Sequence, residues 1–133
     1  MFLSQLKEEN KELFLKLCVH AAMANDEFAD EERNTIQLYC TEMELPMHIP
    51  EINADLDELL AVINKFANET EKKIIVVEIL GLLKSDDKFD EKEHVFFDKV
   101  KESLSLSDEF CDKTESLLDK YTSIYKELVN LIY

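Results

Sequence analysis

Apolar side chains recur along this chain at three- and four-residue intervals, the period of a helix that buries one face. A first helix is expected over about residues 4–24, turning nearly apolar all round between Leu13 and Met23. A second, over about residues 30–44, sets Ile36, Tyr39, Cys40 and Met43 on one face. Pro46 and Pro50 interrupt this pattern, because each disfavours helical backbone in the residue before it. The segment from Leu45 to Pro50 is the expected hinge between two halves.

Past the hinge, Leu56, Leu59, Leu60, Ile63 and Phe66 form another stripe over about residues 55–67. Thr70 is the expected N-cap of the next run, Ile74 to Leu83, whose β-branched residues suit a strand but whose length favours a buried helix. Asp90-Glu91-Lys92-Glu93 reads as a capping box with aspartate in the Ser/Thr place, and Val95, Phe96, Val100 and Leu104 are expected to face inward behind it. Ser107 should cap a last helix carrying Phe110, Cys111, Leu117, Leu118, Tyr121, Ile124, Tyr125, Leu128 and Ile132.

The pattern is stated twice. The turn containing Asn25, Asp26 and Phe28, followed by Glu32, returns 61 residues later around Asp86, Asp87 and Phe89, followed by Glu93. At the same register Phe14 meets Ile75, Val19 meets Leu80, Ile36 meets Phe97 and Met43 meets Leu104. A fixed offset of this kind marks an internal duplication, over about residues 10–45 and 71–106. The expected fold is all-α: one domain over residues 1–133, a bundle of about six or seven helices built from two pseudo-repeated helix-turn-helix halves. Face-to-face packing of the halves would place their buried first helices together.

Composition agrees with a helical reading, since 1 Gly and 2 Pro in 133 residues leave little of the punctuation that hairpins need. A formal charge of −15 makes nucleic acid and anionic membrane poor partners. It also repels itself in the compact state, which bound cations or basic partners would relieve. Cys18, Cys40 and Cys111 are odd in number and form no CxxC, so neither a disulfide framework nor structural zinc is expected. Cys18 and Cys40 lie in apolar runs and read as core. The charged opening after Met1-Phe2-Leu3 forms no signal peptide, and no apolar stretch is long enough to span a bilayer, so a cytoplasmic location is expected.

The chemistry concentrates at the acidic turns. Glu32 and Glu93 begin their helices, and Asp26, Asp86 and Asp87 lie just before, a spacing that brings two or more carboxylates within reach of one cation. Hard oxygens suit Ca²⁺ or Mg²⁺. Helix capping and the macrodipole also favour acids at these positions. An EF-hand is excluded, because counting from Asp86 puts Glu91 at the glycine position and Phe97 at the bidentate glutamate position. Phe28 and Phe89 read as pegs that pin each turn to the core, Gly81 as a site of close helix packing, and its repeat partner His20 as a core or boundary histidine. Glu78 interrupts the most apolar helix and is expected at a solvent-reaching edge. Glu91 and His94 make a single Glu-x-x-His, whereas a di-iron bundle uses two. No nucleophile elbow, P-loop or catalytic triad pattern is present.

On Ala24-Asn25-Asp26-Glu27-Phe28 with Glu32, and Ser85-Asp86-Asp87-Lys88-Phe89 with Glu93, the chain resembles the TerB-like family over about residues 10–130. That is the helical domain of tellurite-resistance and related bacterial stress systems, whose turn reads roughly Ala-Asp-Gly, a polar residue, a hydrophobic residue, then a glutamate in the following helix. The resemblance implies a non-enzymatic, metal-responsive interaction domain with protein partners such as a membrane-associated stress complex, and a metal set drawn from Asn25, Asp26, Glu32, Asp86, Asp87 and Glu93. Two departures bear on this. Asn25 stands where the family has aspartate, and Asp26 and Asp87 stand where it has glycine. Asp86 with Glu93 is the better-matched pair. The alternative reading is a metal-independent acidic helical adaptor for a basic or amphipathic protein.

Overall fold

The computed structural model describes residues 1–24, 30–84 and 90–133. Within them the chain is all-helical: a short 3-10 turn at Leu3–Gln5, then α1 (Glu8–Ala22), α2 (Asp30–Glu42), α3 (Leu56–Phe66), α4 (Glu69–Leu83), α5 (Glu91–Ser103) and α6 (Asp108–Ile132). Helix α1 lies at the centre, packed on α3 and α4, while α4 also meets α5 and α6. The first helices of the α1–α2 and α4–α5 pairs are thus neighbours. Phe14, Leu15, Leu17 and Cys18 of α1 and Ile75, Val76 and Ile79 of α4 are completely buried.

The 61-residue offset recurs in the helix boundaries. Adding the 61-residue offset to the ends of α1 gives the ends of α4, and adding it to the ends of α2 gives the ends of α5. Both second helices also stop alike. The Leu45 N–H reaches the Cys40 carbonyl at 2.9 Å and the Leu106 N–H reaches the Lys101 carbonyl at 3.1 Å, the six-to-one bond of a Schellman motif. That motif demands a left-handed residue just before, and Glu44 (φ 58°) and Ser105 (φ 57°) supply it. Neither is glycine, so each carries a Cβ in a backbone region where it is unfavourable.

One contact lies across the repeat itself. Asn10 and Glu71 are equivalent residues 61 apart, and Asn10 Nδ2 donates to Glu71 Oε2 at 2.7 Å. Glu71 is buried yet fully engaged: it accepts from the Lys7 N–H at 3.0 Å and closes a capping box with Asn68. Burial would raise its pKa, but the Lys7 and Asn68 N–H groups and the Asn10 amide outweigh it and hold the carboxyl below its ordinary value of 4.5.

Several sequence expectations need correction. The first helix is not continuous over residues 4–24: Lys7 is extended, its N–H bound to Glu71, and α1 starts at Glu8. The second ends at Glu42, because the left-handed Glu44 closes it. The cap of α4 is Asn68 rather than Thr70, since Asn68 and Glu71 exchange side-chain and backbone bonds reciprocally. Val95 is 64% exposed and Phe97 takes the inward place. Gly81 does not serve close packing, because a Cβ there would meet nothing within 4 Å. Glu78 is buried rather than at an edge, held by the Phe2 N–H at 2.8 Å and the Met1 amine at 2.9 Å. Capping by Asp90 and Ser107 and burial of the cysteines are as expected.

Candidate metal centre

The turns joining α1 to α2 and α4 to α5 hold the candidate ligands. Asn25, Asp26, Asp86 and Asp87, with Phe28 and Phe89, lie outside the described residues. Glu32 and Glu93 lie within them, each the third residue of its helix. Their surroundings differ. Glu93 is buried, receives the Asp90 N–H on Oε1 at 3.4 Å, and has its own N–H on Asp90 Oδ1 at 2.8 Å. The Glu93 carboxylate is thus tied into the start of α5.

In the first copy the residue equivalent to Asp90 is Ala29, which has no side-chain acceptor with which to build the same box. Glu32 is half-buried, and its Oε2 is shielded from solvent with no hydrogen-bond partner among the described residues. A buried carboxylate oxygen left unbonded costs about 1–3 kcal/mol, more when charged. It is a hard-oxygen donor of the type that Ca²⁺ or Mg²⁺ takes, whereas the Glu93 carboxylate is engaged in its capping box. Among the described residues, no group of three or more His, Cys, Asp or Glu side chains gathers into a metal cluster.

The remaining reactive groups are occupied by packing. Burial pushes the Cys18 thiol well above its usual range, with Glu78 adding to the effect, so the thiol stays protonated and packs as a small hydrophobe. Tyr39 is raised similarly by burial, and its hydroxyl donates to the Glu78 carbonyl at 3.3 Å. Glu91 and His94 are both exposed on α5. His48 bonds the Pro46 carbonyl and the Glu12 carboxylate at 2.9 Å, and these contacts raise its pKa while tying the hinge to α1. His20 is shifted down by burial, with the Ala54 backbone and Asp55 opposing.

Residues that hold the fold together were missed in the sequence. Glu42 takes the Leu3 N–H at 2.9 Å, so that Glu42, Glu71 and Glu78 together anchor the backbone of residues 2–7. The signal for one of them was present: Glu71 stands three residues after Asn68, the spacing of a capping box. No helix of the described residues is long and apolar enough to cross a membrane. Comparison with protein-family models, with curated proteins and with solved structures finds no match for this chain.

Proposed function

We propose that this chain is a non-enzymatic, TerB-like stress-response domain that binds divalent cations at its two acidic turns and acts as a protein-interaction module. The cations are Ca²⁺ or Mg²⁺, held by Glu32 with Asp26 and Asn25 in one copy, and by Glu93 with Asp86 and Asp87 in the other. The observation that carries this reading is the buried Oε2 of Glu32 at the start of α2, which has no hydrogen-bond partner among the described residues, in a position repeated 61 residues on by Glu93. A second support is the formal charge of −15, which bound cations would partly neutralise.

Because the ion binds the folded state, it stabilises by an amount that grows with its concentration, about 2.7 kcal/mol at a hundredfold excess over Kd. The test is a melting titration of chelator-treated protein with Ca²⁺, Mg²⁺, Mn²⁺ and Zn²⁺. The expected result is a saturable rise in Tm with Ca²⁺ or Mg²⁺, reduced in Glu32→Ala and in Asp86→Ala. A flat response to all four ions removes the metal reading and leaves the metal-independent adaptor, whose complexes would weaken with salt but not with chelator.

A further inference from the structure

Helix α6 runs for 25 residues, and among the described residues its buried side chains, Cys111 and Thr114, lie in its first part. Farther on, Leu118 packs partly against the core, Asp119 pairs with Lys84, and Tyr121 and Tyr125 border a cavity of about 590 Å³ faced by Leu38 and Gly81. Leu117, Tyr121, Ile124, Leu128 and Leu131 are all more than half exposed. These residues, with Thr114 before them, alternate at intervals of three and four, the a and d positions of a coiled coil sustained over three heptads. A solvated helix of about a dozen residues is marginal by itself, so the seam needs an occupant.

We propose that this seam pairs with the same seam of a second copy of the chain, antiparallel, with Tyr121 of each copy opposite Ile124 of the other. Charge selects a like partner here. The chain carries −15, yet residues 110–133 hold four acidic and three basic side chains, a net of only −1. Two of those acids, Glu115 and Asp119, are already paired to Lys84, just after α4, at 3.0 and 2.9 Å. The surface is therefore close to neutral on a strongly acidic molecule, and two copies can meet along it without bringing like charges together.

Register and direction follow from the same residues. With Tyr121 opposite Ile124, Leu117 meets Leu128 of the second copy, and Leu131 of that copy lies level with the buried Thr114. The flanking g positions then place Lys120 beside Glu127 twice, once on each side of the two-fold. Neither Lys120 nor Glu127 has an ion-pair partner among the described residues. Sliding by one heptad toward the C-terminal ends would set Glu127 against Glu127. A parallel pair would face Lys120 with Tyr125 and Glu127 with Ile132, and would hold the two acidic bodies side by side. The antiparallel pair separates Thr114 of the two copies by roughly 25 Å along the helices, beyond the ~10 Å over which salt screens charge.

The body of each copy completes the interface. Phe110, Thr114, Leu117 and Tyr121 line a cavity of about 410 Å³ whose other wall is Met1, Phe2 and Val77. In the proposed register, Leu128 and Leu131 of the second copy arrive over Leu117 and Thr114, at the mouth of this apolar groove.

The test is sedimentation velocity of the full chain across the micromolar range, with charge-swap variants. The expected result is a dimer whose Kd rises about tenfold or more in Lys120→Glu and also in Glu127→Lys, and returns towards the starting value in the double swap. The two single variants change net charge in opposite directions, so parallel weakening cannot arise from overall repulsion. Leu128→Glu, at an exposed position, should give a monomer with unchanged helicity by circular dichroism. A wild-type chain that stays monomeric throughout overturns the proposal and leaves the seam to a helix of another protein. A dimer that the double swap fails to restore, or a higher oligomer, overturns the antiparallel register.

Discussion

The α1–α2 and α4–α5 pairs begin and end at equivalent residues, stop with the same Schellman bond, and place a glutamate at the same first-turn position. Their chemistry has diverged. Asn10 corresponds to Glu71, to which it donates, His20 to Gly81, and Tyr39 to Val100. Glu93 is tied to Asp90 while Glu32 has a buried oxygen with no partner among the described residues. The comparison separates two kinds of information. Periodicity, caps and left-handed stops set the backbone of a helix pair and survive in both copies; the polar residues that ride on that backbone are free to differ.

The largest expected effects probe what the copies share. Phe14 and Ile75 are equivalent and fully buried, so Phe14→Ala should cost about 3–5 kcal/mol and Ile75→Ala about 2–5 kcal/mol in urea unfolding. If one costs several kcal/mol and the other almost nothing, the two helices do not share one core.

Next comes the Asn10–Glu71 pair. Glu71→Ala leaves the Asn10 amide and the Lys7 and Asn68 N–H groups without their acceptor, and should cost about 3 kcal/mol at neutral pH. The sign of its pH dependence is fixed. The folded-state pKa of Glu71 lies below 4.5, so its contribution is complete above 4.5 and is lost as pH falls through the folded value. Wild type and the variant should therefore converge in stability in acid; a gap that stays constant below pH 4 would remove the carboxylate from the explanation.

A smaller effect tests the common stop signal. Glu44→Gly and Ser105→Gly should each stabilise by about 0.5–1 kcal/mol, because glycine adopts a left-handed backbone without a Cβ penalty. Destabilisation at either position would show that the side chain contributes more than the backbone strain it imposes.

How much of this was legible in the sequence follows from the same division. The Asp90 and Ser107 caps, the apolar stripes and the 61-residue offset are local or periodic, and they gave the helices and the duplication. The break at Lys7 was hidden, because its cause is Glu71, 64 residues away. Glu78 looked like an edge residue for the same reason: its partners are the Met1 amine and the Phe2 N–H, more than seventy positions distant. Val95 and Phe97 lie two residues apart on α5, so a small error in helix phase exchanged them. At the candidate site, residue type and spacing pointed to carboxylates, but the difference between Glu32 and Glu93 depends on Ala29 replacing Asp90 as the residue before the helix, a detail visible only once the capping box is seen.

The smallest effect separates two histidines. In an NMR pH titration His48 should titrate above 6.5, raised by the Pro46 carbonyl and Glu12, and His20 below it, lowered by burial. Reversed order would contradict the contacts assigned to the hinge.

The central claim is that the repeated glutamates at the starts of α2 and α5 belong to cation sites. Calorimetric titration of chelator-treated protein with Ca²⁺ and with Mg²⁺, comparing wild type with Glu32→Ala and Glu93→Ala, tests it most directly. Saturable binding to wild type and a loss of sites or affinity in each variant are expected. Absence of saturable heat in wild type, or identical isotherms in all three proteins, would contradict it.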